Sequence, residues 1–173
     1  METRHTVVDT LLGPVTLVAT GEAITGLYFR HHVRRPAPET FGLGVADDRL
    51  LAEAGEQLTE YLAGRREAFD LPLAAEGTGF ERAVWAIVAA IPRGATTTYG
   101  AIAEQLGGRS LAWEAGQAVG ANPLCIFVPC HRVVGADGAL TGYAGGLKRK
   151  RALLALETMG TVGSLETGTG GSR

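Results

Sequence analysis

The sequence predicts an α/β protein of the α+β kind with two domains, and three observations carry that reading. The first is a set of short apolar runs near the N-terminus, Thr6–Leu12, Val15–Ala19 and Ile24–Phe29, rich in strand-forming residues and separated by Gly13-Pro14 and Thr20-Gly21-Glu22. The second is a change of composition at Glu76-Gly77-Thr78-Gly79, a linker that divides residues 1–76 from residues 78–159. The third is a pair of short helical segments joined by Gly107-Gly108, the pattern of a helix-turn-helix. Beyond residue 160, Gly, Ser and Thr dominate, so residues 160–173 are expected to be a disordered tail.

Taken in order, the first three runs form a meander or hairpin, with Thr25, Leu27 and Phe29 sharing a face of the last strand. Arg30 to Pro38 is basic, then proline-rich. It reads as a surface loop, and its His31-His32 pair as solvated rather than metal-binding. Asp47 or Asp48 can cap a helix that runs to about Ala63 and stops at Gly64, with Leu50, Leu51, Ala54, Leu58, Tyr61 and Leu62 on one face. Phe69, Leu71 and Leu73 alternate in the connector and suggest a last strand.

Past the linker, Thr78-Gly79-Phe80-Glu81 is a capping box, in which Thr78 and Glu81 satisfy each other's free amides. The helix it opens buries Val84, Trp85, Val88 and Ile91 and stops at Pro92. Thr97 or Thr98 caps Tyr99–Leu106; Ser110 caps a second helix to Gly120, ended by Asn122-Pro123. Ala112, Gly116 and Gly120 recur every four residues on that helix. Interior glycine costs about 1 kcal/mol against alanine, so the bare stripe implies a close neighbour, either another helix or a nucleic-acid groove. Leu140 to Gly146 is a glycine-rich loop too irregular to cradle phosphate, and Leu147–Glu157 a last helix. Its run Lys148 to Arg151 is expected to be a solvated face, whereas Glu157, close behind Leu153-Leu154-Ala155-Leu156, is placed to turn inward.

A chain of 173 residues with 46% hydrophobic and 20% charged content can bury a real core and is not disordered in bulk. No apolar run approaches the roughly 20 residues that span a bilayer, and Met1-Glu2-Thr3-Arg4-His5 has no signal-peptide core, so the expected compartment is the cytoplasm. Residues 1–78 carry 7 Lys/Arg against 12 Asp/Glu and residues 79–173 carry 9 against 6; halves at −5 and +3 give the net −2 and hint at anion binding by the second half. The two cysteines, Cys125 and Cys130, flank a run expected to be extended, so a disulfide between them would require a distorted strand, and reduced thiols are expected.

The chemistry concentrates in Ile126-Phe127-Val128-Pro129-Cys130-His131-Arg132-Val133-Val134. Leu124 to Val128 reads as a buried strand, and Pro129 keeps its predecessor out of the helical region, so the cysteine sits on a bend at the strand's end. A thiol becomes a strong nucleophile when deprotonated, and an adjacent histidine is a common means of doing so. The alternative is a buried apolar cysteine beside a surface histidine.

Together, Pro129-Cys130-His131-Arg132-Val133, the upstream Asn122-Pro123, Tyr99, the loop Tyr143-Ala144-Gly145-Gly146-Leu147 and Glu157 resemble the O6-alkylguanine-DNA alkyltransferase family, also called methylated-DNA–protein-cysteine methyltransferases. The likeness runs from about Phe80 to Glu157. The first half adds structural motifs at Leu12-Gly13-Pro14-Val15-Thr16-Leu17-Val18 and Gly26-Leu27-Tyr28-Phe29. The resemblance implies a ribonuclease-H-like N-terminal sheet with a helix, then a winged helix-turn-helix-like domain carrying the active cysteine. It implies irreversible, single-use transfer of an alkyl group from O6 of a flipped guanine to Cys130, without a cofactor. His131 is then general base through a water, and Glu157 orients the imidazole. Asn122 braces the turn. Tyr99 crowds the target phosphate, helps rotate the base and can protonate the leaving guanine. Tyr143 lines the base pocket, backbone groups of Val133 and Ala144 read the guanine edge, and Pro129 and Gly145 complete the substrate site.

The implied partner is duplex DNA containing O6-alkylguanine, entered through the minor groove by a protein that is monomeric in solution and could assemble cooperatively on DNA. The expected DNA contacts are Trp113, Arg109, Ala112, Gly116, Gln117, Tyr99 and Arg132. One departure stands out: the family inserts an arginine into the duplex, and the aligned position here is Trp113, followed by Glu114, with Arg109 one turn earlier as a substitute. An indole can wedge between bases but neither bonds the orphaned partner base as arginine does nor offsets phosphate charge, so weaker duplex binding with intact chemistry is expected. The rival readings are a non-transferring binder of alkylated DNA with the same fold, a helix-turn-helix regulator, and a cysteine hydrolase, which usually draws its histidine from elsewhere in the chain.

Overall fold

The computed structural model describes residues 1–159; the expected tail, 160–173, lies outside them. Strands β1 (Thr3–Thr10), β2 (Gly13–Thr20) and β3 (Ala23–Phe29) form an antiparallel meander, and a two-residue β4 (Leu43–Gly44) joins β1 in parallel, in the order β3-β2-β1-β4. Val15, Leu17 and Ala19 of β2 and Leu27 and Phe29 of β3 point into the core, against Leu51, Ala54, Leu58 and Leu62 of helix α1 (Arg49–Leu62). Asp48 is the α1 cap, its carboxylate accepting the Leu51 amide, a contact worth about 1 kcal/mol. The connector after α1 makes only an isolated bridge, Leu73 to Ile24, instead of the strand expected there.

The second half is helical. Helix α2 (Gly79–Ala89) opens with the capping box of Thr78 and Glu81, both bonds present, and buries Val84, Trp85 and Val88. The Trp85 indole donates to the Ala118 carbonyl at 2.7 Å and locks α2 to helix α4 (Ala112–Gly120). Helix α3 (Tyr99–Leu106) is capped by Thr98 and ends at Gly107, whose φ of 150° suits only glycine. Ser110 does not cap α4: a 3-10 turn, Arg109–Leu111, leads in without a side-chain cap.

Two short strands place the site. Strand β5 (Thr97–Thr98) runs parallel to β6 (Val133–Val134). Since Tyr99 follows β5 and Cys130–Arg132 precedes β6, the pairing sets the start of α3 beside the cysteine turn. Helix α5 (Leu147–Met159) packs behind that turn through Lys150, Leu153 and Leu156, all buried. The halves are joined where Leu27 of β3 bridges Leu124, its amide donating to the Pro123 carbonyl. Among the described residues no helix is long and apolar enough to cross a membrane.

Candidate active site

The stretch Leu124 to Val128, expected to be an extended strand, is instead a tight turn. Ile126 takes a positive φ of 75°, and the Val128 amide donates back to the Leu124 carbonyl at 2.8 Å. Asn122 clamps it: its side chain donates to the Val128 carbonyl and accepts the Leu124 amide, each at 2.9 Å. Pro129, at φ −79° and ψ 63°, makes an inverse γ-turn, closed by the Cys130 amide on the Val128 carbonyl. A 3-10 turn, Cys130–Arg132, then feeds β6. These bonds fix the Cys130 sulfur with only 4% of the residue exposed.

Behind the cysteine lies a buried polar network. His131 Nε2 is 2.8 Å from Glu157 Oε2, and the Nε and Nη2 of Arg132 donate to the same carboxylate at 2.9 and 2.8 Å. Tyr61, carried in on α1, donates its hydroxyl to Glu157 Oε2, and Arg132 Nη1 donates to the Ile91 carbonyl at 2.6 Å. Burial opposes ionisation of Glu157, but the donors from His131, Arg132 and Tyr61 outweigh it and hold its pKa at about 2. An ionised carboxylate only accepts hydrogen bonds, so His131 Nε2 carries the proton. Burial also keeps the imidazole below its ordinary range, against the pull of Glu157. The imidazole is therefore neutral near pH 7, with a lone pair on Nδ1, which is buried without a hydrogen-bond partner among the described residues.

Cys130 is the more acidic of two neighbouring thiols. Its sulfur is 3.8 Å from that of Cys125, and the hydrogen bond from Cys125 lowers its pKa, aided by Asn122 and Lys150 and opposed by burial. Lys150 is buried, its ammonium donating to the carbonyls of Val133, Thr141 and Gly142 at 2.6, 2.8 and 3.2 Å.

Cys130 opens onto a cavity of about 240 Å³ walled by Tyr99, Gly116 and Gln117 on one side and Tyr143 and Ala144 on the other, with Val33 and Arg34 at its edge. That is below the roughly 300–1,000 Å³ of sites for drug-sized ligands and suits a single base. The Tyr99 hydroxyl accepts a bond from Thr141 at 3.3 Å. A Cβ on Gly116 would stand 3.6 Å from the Tyr99 ring, and one on Gly120 would meet nothing within 4 Å, so among the described residues no helix covers this part of the stripe. Trp113 is 71% exposed on the outer face of α4, and Arg109 is exposed and pairs with Glu104 at 3.4 Å. Ala112 is half-buried at the start of the stripe.

Of the expected substrate residues, Tyr143 and Ala144 line the cavity, whereas Pro129, Val133 and Gly145 are not part of its wall. The Val133 amide donates to the Cys130 carbonyl and its own carbonyl accepts from Lys150, leaving that oxygen a second lone pair. Gly145 is needed for packing: a Cβ there would come within 2.6 Å of the Phe29 ring.

Arg132 requires a correction. Expected at the DNA surface, it is only 8% exposed and is spent on Glu157 and the Ile91 carbonyl, because the β5–β6 pairing turns it inward. The cationic run is not wholly solvated either, since Lys150 shares the buried face of α5 with Leu153; its spacing of three from Leu153 was the available signal. His32 is half-buried: its Nδ1 accepts the Phe29 amide, and burial, with Arg35 and Arg149 nearby, brings its pKa to about 4. Sequence reasoning missed Tyr61 and Arg34 as site residues. Tyr61 read only as part of an apolar helix face, and Arg34 as loop; in the fold Arg34 reaches the Gln117 carbonyl at 3.3 Å.

Both halves of the chain have known relatives. Residues 79–159 match the family model described as 6-O-methylguanine DNA methyltransferase, DNA binding domain, and residues 3–75 match its ribonuclease-like domain. A methylated-DNA–protein-cysteine methyltransferase of Mycobacterium tuberculosis is 42% identical over 154 residues, covering 89% of this chain and 92% of that protein. One of Methanosarcina acetivorans is 39% identical, covering 88% and 97%. The crystal structure of Mycobacterium tuberculosis OGT in complex with DNA superimposes with a TM-score of 0.81 at 40% identity, over 91% of this chain and 94% of that one. The fold is thus a two-domain α/β architecture with an N-terminal sheet domain and a helical C-terminal domain, and the chain belongs to the 6-O-methylguanine DNA methyltransferase family.

Proposed function

We propose that the protein repairs DNA by taking an alkyl group from O6 of guanine onto Cys130, once per molecule. The observation that carries this is Cys130 at the floor of a base-sized cavity, with the His131–Glu157 pair beside it and Nδ1 left with a free lone pair. His131 takes the thiol proton, directly or through one water, and Glu157 and Arg132 hold the imidazole in that tautomer. The thiolate attacks the alkyl carbon, the C–O6 bond breaks, and its electron pair passes to the guanine, which Tyr99 can protonate from the cavity wall. The thioether formed is stable, so there is no second turnover.

The reactive carbon is out of reach inside a duplex, so the nucleotide must rotate out at a cost of a few kcal/mol. We assign α4 to the minor groove: its Ala112-Gly116-Gly120 stripe lets the backbone approach, Gln117 and Tyr99 stand at the cavity mouth, and Trp113 is positioned to enter the stack. Residues 1–76 serve as scaffold and supply Tyr61 and Arg34 to the site. A non-transferring binder or a regulator has no use for a thiol built into such a site.

The test is the intact mass after incubation with an oligonucleotide containing O6-methylguanine. A gain of one methyl per molecule is expected for the wild type and none for Cys130→Ser. Methyl gain by the serine variant, or turnover beyond one equivalent, counts against the assignment.

A further inference from the structure

Cys125 takes no part in the transfer just described, yet its sulfur touches that of the acceptor. The two are 3.8 Å apart, both are free, and both are buried. The contact is built by the turn rather than by chance packing. Positive φ at Ile126, the Val128 amide on the Leu124 carbonyl and the Asn122 clamp fold residues 122–128 back, so that a five-residue separation closes to van der Waals distance. The thiols also differ in access: Cys130 faces the cavity, whereas Cys125 is fully buried behind it.

We propose that Cys125 is a resolving thiol for Cys130, so that a hydroperoxide reaching Cys130 converts the pair into an intramolecular disulfide that an external dithiol reopens. This rests on Cys130 being the reactive thiol of the alkyl-transfer reading. In the first step the Cys130 thiolate attacks the peroxide, whose O–O bond breaks; the sulfur becomes a sulfenic acid and the departing alkoxide or hydroxide takes a proton. In the second step Cys125 attacks that sulfur. The S–S bond forms, the S–O bond breaks, and the hydroxyl leaves with the Cys125 proton as water. The sulfurs must close from contact to about 2.05 Å. Without a resolving thiol, sulfenic acid goes on to sulfinic and sulfonic acids, which external thiols do not reverse. For a single-use acceptor that would destroy the molecule before it met a lesion. In the reduced pair Cys125 is held protonated by its hydrogen bond to Cys130 and by burial, and it gives up that proton as it attacks the oxidised sulfur.

The experiment treats reduced full-length protein with hydrogen peroxide and follows intact mass, peptide linkage and methyl uptake from the O6-methylguanine oligonucleotide, before and after dithiothreitol. Cys125→Ala and Cys125→Ser are run alongside, each referred to its own uptake before peroxide. The wild type is expected to lose two hydrogens, to yield a linked Cys125–Cys130 peptide, and to recover its starting uptake with dithiothreitol. Both variants are expected to gain two or three oxygens and to recover none. Wild type that gains oxygens as fast as the variants, or forms its disulfide between chains, overturns the proposal. The two readings fail separately: reduced, untreated protein that takes up no methyl counts against alkyl transfer, whereas the mass after peroxide decides the pairing.

Discussion

Behind Cys130, His131, Arg132, Glu157 and Tyr61 are packed so tightly that the Glu157 side chain is 1% exposed, and each is bonded to another member of the set. In front of it, α4 offers the stripe Ala112, Gly116 and Gly120, with Trp113 at 71% exposure, and Arg109 in the turn before it pairs with surface Glu104. The first region concentrates charge where solvent cannot screen it, and fixes one tautomer of one imidazole. The second gives up side chains, and with them helix stability, to leave room for a neighbour. Reaction chemistry and partner binding thus make opposite demands on one small domain. The interior is over-determined and the surface is left bare.

The contrast breaks most severely at Glu157. Glu157→Gln keeps the shape but leaves Arg132 buried without its counter-charge and His131 without its carboxylate. Losing one partner of a buried pair costs about 3–5 kcal/mol, and a His131 base left without its orienting carboxylate loses up to the roughly 10²–10⁴-fold that a positioned base contributes. Urea unfolding and single-turnover methyl transfer check the two effects; a variant within 1 kcal/mol of wild type would show that the network is not structural.

The same carboxylate should govern acid stability. Its pKa is about 2 in the fold against an ordinary 4.5, so between these values the unfolded chain binds a proton that the native one does not. Its contribution is therefore complete above pH 4.5 and is lost as pH falls toward 2. The unfolding free-energy gap between wild type and Glu157→Gln should narrow across that window, and a gap constant with pH would refute the sign.

The surface should respond differently, in binding rather than chemistry. Trp113→Arg is expected to bind duplex DNA more tightly and to steepen the dependence of log K on log salt by about 0.9, one further phosphate contact. Transfer from free O6-methylguanine base, which needs no duplex, should be unaltered. Fluorescence anisotropy over a salt series reads the slope, and binding no tighter than wild type sinks the expectation.

The smallest effect is at Gly120, where an added Cβ meets nothing within 4 Å. Gly120→Ala should raise stability by about 0.5–1 kcal/mol while weakening duplex binding. Thermal unfolding and the same anisotropy assay separate the two, and a gain in both would show that the bare stripe serves no partner.

The legible features were local ones. The capping box at Thr78 and Glu81, the caps at Asp48 and Thr98, and the inward faces of α1 and α2 depend on residues three or four apart, and each formed. Cys130 and His131 stand out by residue type and adjacency and Glu157 by its place behind an apolar run, whereas the site roles of Asn122 and Glu157 come from the family resemblance. Arg132 could not be placed, because whether it faces DNA or Glu157 depends on where α5 carries Glu157, 25 residues on. Lys150 read as one of four surface cations until α5 was seen to bury one face.

By itself, then, the sequence determined most of the helices, the three-stranded meander and the adjacent thiol–imidazole pair, because short-range bonding and residue type decide those, but not the turn at Leu124 to Val128 or the bridge at Leu73. Only the tertiary structure decided that Tyr61, 96 residues from Glu157, shares its carboxylate, that Cys125 touches Cys130, and that Arg132 points inward. The first joins α1 to α5, and the second is closed by the turn at Asn122 to Pro129. Such long-range approach leaves no periodicity in the chain, since it is settled by which buried polar groups can all be satisfied at once.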